Sequence, residues 1–162
     1  MGNQKVGGFF NNASYTENIF YEKDSVDILP SDLDEILDYL SDEDNYIDES
    51  FGFTIPDLTK KNFKNGIDEN YYDFMKGDFS YFQDIVEILK NDSDNLIKRK
   101  YRIASRILQL QYFSFFQERM KEFITSVISK HSKETKCSSE VSLKLCKLLH
   151  YMYSNCDIGI KP

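Results

Sequence analysis

Cys137, Cys146, His150 and Cys156 form a C-x8-C-x3-H-x5-C series, a set of side chains that could hold a zinc ion. Cys146 and His150 stand one helical turn apart and would face the same ion. Zinc modules usually open with a tight C-x2-4-C pair, however, and this chain has none. Cys146 also falls on the apolar side of a leucine-rich segment, where a free cysteine acts as a small hydrophobe. Taken as nucleophile and base, Cys146 and His150 have no orienting acid at a suggestive spacing. Packing is the expected role of this set, with no metal and no cofactor.

A second candidate is the cluster Lys98, Arg99, Lys100, Arg102 and Arg106. Such a cluster suits phosphate contacts on a nucleic acid. It equally suits solvent, or the acidic N-terminal third of the same chain. The aspartates of 41–50 do not make a calcium loop: counted from Asp42, the positions that need Gly and Glu hold Ile47 and Phe53. Asp92-Ser93-Asp94 fails the same test. No glycine-rich phosphate loop is present, because no Gly or Pro occurs from Asp78 to Ile158. The expectation is a protein that is not an enzyme.

That absence of helix breakers over half the chain points to a mainly α class. Asp94 to Lys130 reads as one very long helical segment, or two helices nearly in line. One apolar row runs through Ile97, Tyr101, Ala104, Leu108, Tyr112, Phe115, Phe123 and Val127, and a second through Ile103, Ile107, Leu110, Phe113, Phe116, Met120 and Ile124. Two rows predict burial from more than one side. About 37 helical residues would span roughly 55 Å, against a diameter near ~40 Å for a compact chain of this size. The helix must therefore bend, with Gln111 to Ser114 the expected place, or project onto a partner.

Shorter helices are expected from Pro30-Ser31 to Asp42, from Ile67 to Lys76, after a cap at Asp78, and from Ser139 onward. The architecture predicted is a helical bundle built on the long helix, straight or kinked, with an irregular acidic N-terminal third. Residues 1–30 read as a flexible or strand-like arm and 31–162 as the helical domain.

Charge divides along the same line. From Glu17 to Asp57 there are 14 acidic residues and one basic, Lys23, a net of −13. From Leu58 on, 18 basic against 13 acidic residues give +5, and Lys5 completes the total of −7. An acidic chain argues against direct nucleic-acid binding. Three cysteines make no paired framework, nothing at Met1 resembles a signal peptide, and no apolar run is long enough to cross a bilayer. These features predict a reduced, cytoplasmic protein.

The segment Leu148-Leu149-His150-Tyr151-Met152-Tyr153-Ser154-Asn155-Cys156-Asp157-Ile158-Gly159 is more specific. It resembles the end of the C-terminal domain of proteins in prokaryotic ABC-three-component systems, which are conflict or antiphage modules. Lys60-Lys61-Asn62-Phe63-Lys64-Asn65-Gly66 is similar to that family's entry segment, and Asn95 through Arg106 to its long helix. The resemblance implies a docking role, in which the domain tethers an effector to an SMC-like ABC ATPase and a middle component. The family's domain usually ends a longer effector. Here Met1 opens the chain and no catalytic domain precedes the helices, which predicts a stand-alone docking subunit, with self-association favoured by the long helix. His150, Tyr151, Met152, Tyr153, Asn155, Asp157 and Gly159 are then the candidate partner surface, with exposed Tyr as anchor area. Alternatively they lock the C-terminus onto the long helix, with Asn155 and Asp157 capping and Gly159 turning left-handed.

Overall fold

The computed structural model describes residues 30–39 and 57–162. The expected N-terminal arm and the acidic loop at 41–50 lie outside the described residues. Within them the chain forms seven α-helices, a single 3-10 turn and no strand.

Helix α1 (Pro30–Tyr39) begins on Pro30, whose fixed φ suits a first helical position and whose missing N–H costs nothing there. Ser31 thus lies inside the helix and is not its cap. Leu33, Ile36 and Leu37 are buried, and α1 packs on α5 (Leu96–Phe115), α6 (Met120–Thr135) and α7 (Ser139–Ser154). Between them come α2 (Thr59–Lys64), α3 (Glu69–Lys76), the 3-10 turn Phe79–Tyr81, and α4 (Phe82–Asn91), which lies on α7. At α3 and α7 the N-cap residue itself supplies the side-chain cap: Asp68 accepts from Tyr71 N at 2.8 Å and Ser138 accepts from Val141 N at 3.4 Å. α7 therefore starts at Ser139 as expected, with the cap one residue earlier.

The long segment is two helices. α5 buries Ile97, Tyr101, Ala104, Leu108 and Tyr112, the first of the two apolar rows. The second row does not follow it inside: Ile103, Leu110 and Phe113 are 43, 59 and 41% exposed. Burial from two sides, expected from that row, is not found for α5. The bend also falls later than expected, at 116–119, while Gln111 and Tyr112 remain helical and buried.

A distant segment fixes the position of this break. Tyr112 Oη donates to Asn65 Oδ1 at 2.8 Å and accepts from Glu118 N at 3.0 Å. Asn65 O in turn accepts from Met120 N, the first residue of α6, at 3.0 Å. Glu118 itself takes the left-handed conformation, with φ 64°. Gly66 follows at φ 64°, and a Cβ there would stand 2.0 Å from Glu118 O. Only glycine allows the α2 turn to approach this corner so closely.

Candidate functional site

The signature at the end of α7 is sealed into the fold. α7 closes in a Schellman motif: Asp157 N donates to Met152 O at 2.9 Å and Cys156 N to Tyr153 O at 3.1 Å. The left-handed residue of that motif is Cys156, at φ 63°, where glycine is usual. Gly159, at φ 89°, serves a different need. A Cβ on it would meet Asn65 Oδ1 and Met120 Cε, each at 2.8 Å.

Side chains from two other segments, α2 with its turn and α5, converge on this closure. Tyr153 Oη donates to Asn62 Oδ1 at 2.9 Å, and Lys61 Nζ donates to Tyr153 O while standing 4.3 Å from the Tyr153 ring centroid. Lys61 is fully buried, and burial pulls its ammonium below the usual lysine range. Asn65 binds the tail on both faces, donating to Ile160 O at 2.8 Å and accepting from Ile160 N at 2.7 Å. Gln109 does the same for Gly159, donating to its O at 3.0 Å and accepting from its N at 2.6 Å. Tyr101 Oη donates to Asp157 Oδ2, which also accepts from Asn155 Nδ2 at 2.9 Å. Burial and the Asp157 carboxylate together push the Tyr101 phenol well above its ordinary value.

Higher on α7, His150 is fully buried among partners. Its Nδ1 lies 2.6 Å from Asp78 Oδ2 and its Nε2 3.0 Å from Tyr71 Oη, with Cys146 Sγ 3.7 Å from the same Nε2. The carboxylate is an acceptor only, so Nδ1 carries the proton and Nε2 accepts from the phenol. Rings of Tyr71 and Phe74 stand edge-on to the imidazole at 5.6 and 5.7 Å. Asp78 was expected to cap the next helix; its carboxylate turns instead to His150. It is the orienting acid that spacing along the chain did not suggest. Burial and Asp78 push the Cys146 thiol up to about 11, so it is not a nucleophile at neutral pH. Asp78, Cys146 and His150 are the three donors that could share a metal ion among the described residues. Cys137 lies against His131, and Cys156 bonds to Lys61. The four-residue zinc series does not assemble.

The candidate partner residues can now be placed. His150, Tyr151, Met152, Tyr153 and Gly159 are buried, Asp157 is half-buried, and only Asn155 is exposed. The anchor area expected of an exposed Tyr153 is absent, because its ring and hydroxyl are both occupied inside. Sequence reasoning passed over Lys61, Asn62 and Asn65 as site residues. The signal was there: all three lie in the Lys60–Gly66 stretch set beside the signature by resemblance.

Among the described residues, a row of exposed side chains runs along α5. Leu96, Arg99, Ile103, Arg106, Leu110 and Phe113 recur at alternating spacings of three and four and all are exposed. Arg102 is exposed beside them, while Lys98 and Lys100 are half-buried. Lys98 reaches back to Asn95 Oδ1 at 3.4 Å, and its N–H donates to Asp92 Oδ2 at 2.8 Å, capping the helix. The basic cluster is thus split: Arg99 and Arg106 share a row with four large apolar side chains.

The model of C-terminal domain 12 of the ABC-three component (ABC-3C) systems matches residues 23–159. The chain belongs to this family. The match covers every described helix, the sealed signature and the open row of α5. No curated protein and no solved structure matches the chain. Among the described residues no helix is long and apolar enough to cross a membrane. Membership places the domain within a multi-component system, so other components accompany it.

Proposed function

We propose that this ABC-3C domain is a non-enzymatic docking module of an antiphage system, linking an effector to the SMC-like ATPase and the middle component. A single observation carries this: the row Leu96, Arg99, Ile103, Arg106, Leu110 and Phe113 stands exposed along α5. It spans 18 residues, or about 26 Å of helix. Alternating three-and-four spacing is the geometry by which one helix seats another. A row of this kind buries apolar side chains at its centre and offers arginine at its edge, the composition of energetic anchors in protein interfaces. The fitting occupant is an acidic, amphipathic segment of a companion protein, recognised by its carboxylates opposite Arg99, Arg102 and Arg106. The signature at 150–159 then acts from inside, as the lock that holds α5 in place for display.

The same arginines admit phosphate contact, but the apolar residues between them gain nothing from a nucleic-acid backbone. Co-purification with the ATPase and middle component, both encoded beside this gene on this proposal, tests it. Leu110→Asp with Phe113→Asp should weaken capture more than thirtyfold, matching ~2 kcal/mol or more for loss of an interface anchor. Circular dichroism should stay unchanged, since both side chains already face water. Capture that survives this double variant overturns the proposal. Salt-sensitive duplex binding lost in Arg99→Glu/Arg106→Glu, with capture intact, favours the nucleic-acid alternative.

A further inference from the structure

A second Asp–His–Cys set lies at the opposite end of α7. α6 ends at Thr135, Lys136 turns the chain at φ 52°, and Cys137 leads into the Ser138 cap of α7. This turn lays Cys137 Sγ 3.7 Å from His131 Nδ1, 3.5 Å from Ser142 Oγ and 3.7 Å from Ser132 Oγ. Across the ring, His131 Nε2 is 2.7 Å from Asp34 Oδ1, a residue that α1 brings from 97 positions away. The carboxylate only accepts, so Nε2 carries the ring proton and Nδ1 presents its lone pair to the thiol. A proton passed from sulfur to Nδ1 leaves an imidazolium already held by Asp34.

Hydroxyl groups line the rest of the sulfur's surroundings. The Ser142 hydroxyl stands within hydrogen-bond reach of the sulfur, and Ser132 Oγ accepts from the thiol. Hydrogen bonds from Thr135 and Ser142, with Ser132 and His131 adding to them, hold the thiol down to about 6. His131 is 3% exposed, whereas Cys137 is open to solvent on one side. A shielded base thus stands behind an accessible sulfur.

We propose that Asp34, His131 and Cys137 form a nucleophilic relay that reacts at the Cys137 sulfur with small soft electrophiles, hydrogen peroxide among them. The thiolate attacks one peroxide oxygen and the O–O bond breaks. The departing hydroxide takes the proton from His131 and leaves as water. Sulfur is oxidised to the sulfenic acid, peroxide is reduced, and the imidazole returns neutral to Asp34.

The test compares the three cysteines within one full-length chain by peptide mass spectrometry. A low thiol pKa raises the thiolate fraction but lowers intrinsic nucleophilicity, so the advantage is clearest in mild acid. At pH 5.5, iodoacetamide should label Cys137 roughly tenfold faster than Cys146 or Cys156. Peroxide followed by dimedone should place the sulfenic adduct on Cys137. His131→Gln and Asp34→Asn should each slow labelling of Cys137 at pH 5.5 at least about threefold, because the proton then has no held base. A variant that unfolds would also slow Cys137, by releasing its hydrogen bonds, but would speed the half-buried Cys146, whereas loss of the relay leaves Cys146 unchanged; Asp34→Asn, altered at a 40% exposed side chain, keeps the test available. Equal labelling of the three cysteines, no dimedone adduct at Cys137, or an unchanged rate in both variants overturns the proposal.

Discussion

The two Asp–His–Cys sets contain the same three side-chain types and have opposite chemistry. In the set at Asp78, His150 and Cys146 the histidine is fully buried, the Asp78 side chain is 13% exposed and Cys146 is half-buried. Burial penalises the thiolate, and the nearest charge, Asp78, is negative, so the thiol climbs to about 11. In the set at Asp34, His131 and Cys137 the sulfur is open to solvent on one side and bonded by neighbouring side chains, and its thiol falls to about 6. Hydrogen-bond topology is shared; solvent and local dipoles decide the rest. A residue triplet is thus no guide to reactivity until the burial of its sulfur is known.

The comparison breaks most sharply on removal of the histidines. His150→Ala strands Asp78 and the Tyr71 hydroxyl away from water, at a cost of about 3 kcal/mol or more. His131→Ala leaves Asp34 free to hydrate and should cost about half as much, ~1–2 kcal/mol. Urea unfolding of both variants measures the difference, and equal losses would erase the distinction between a sealed and an open set.

Stability against pH sharpens it next. Cys137 titrates lower in the folded chain, at about 6, than its ordinary 9.0, so the unfolded chain binds more protons in between. Its contribution is complete above pH 9 and disappears as pH falls through 6. Cys146 has the reverse sign: raised to about 11, it holds its proton longer when folded. That contribution is complete below pH 9 and is lost as pH rises through 11. Cys137→Ser should flatten the slope of unfolding free energy between pH 6 and 9, and Cys146→Ser the slope between 9 and 11.

The smallest effect concerns the turn that presents Cys137. Lys136 holds a left-handed φ of 52°, so Lys136→Gly should stabilise the fold by about 0.5–1 kcal/mol, read as a rise in the urea midpoint. Cys137 labelling should change little, because its hydrogen-bond partners stay in place.

Much of the helical frame was legible because it rests on periodicity. The buried row of α5 from Ile97 to Tyr112 follows directly from three-and-four spacing, and the starts near Pro30 and Ser139 follow from proline and serine start signals. The side of α5 that stays open was not legible. Ile103, Leu110 and Phe113 are as apolar as their buried neighbours, and nothing local tells a core row from a row awaiting another protein. The break after Phe115 escaped for a different reason: it is set by Asn65 and Gly66, some fifty residues earlier, and no residue within 111–119 is a helix breaker. Asp78 and Asp34 were equally out of reach, since each meets its histidine across 72 and 97 positions.

Asn65 ties together pieces that are far apart in the chain, Tyr112 at 47 positions and Ile160 at 95. Closing loops of that size is slow compared with winding a helix. The corner between α5 and α6 should therefore be among the last parts to assemble during refolding. Because α5 takes its final direction from that corner, the chain gains its binding geometry only once nearly all of it has folded.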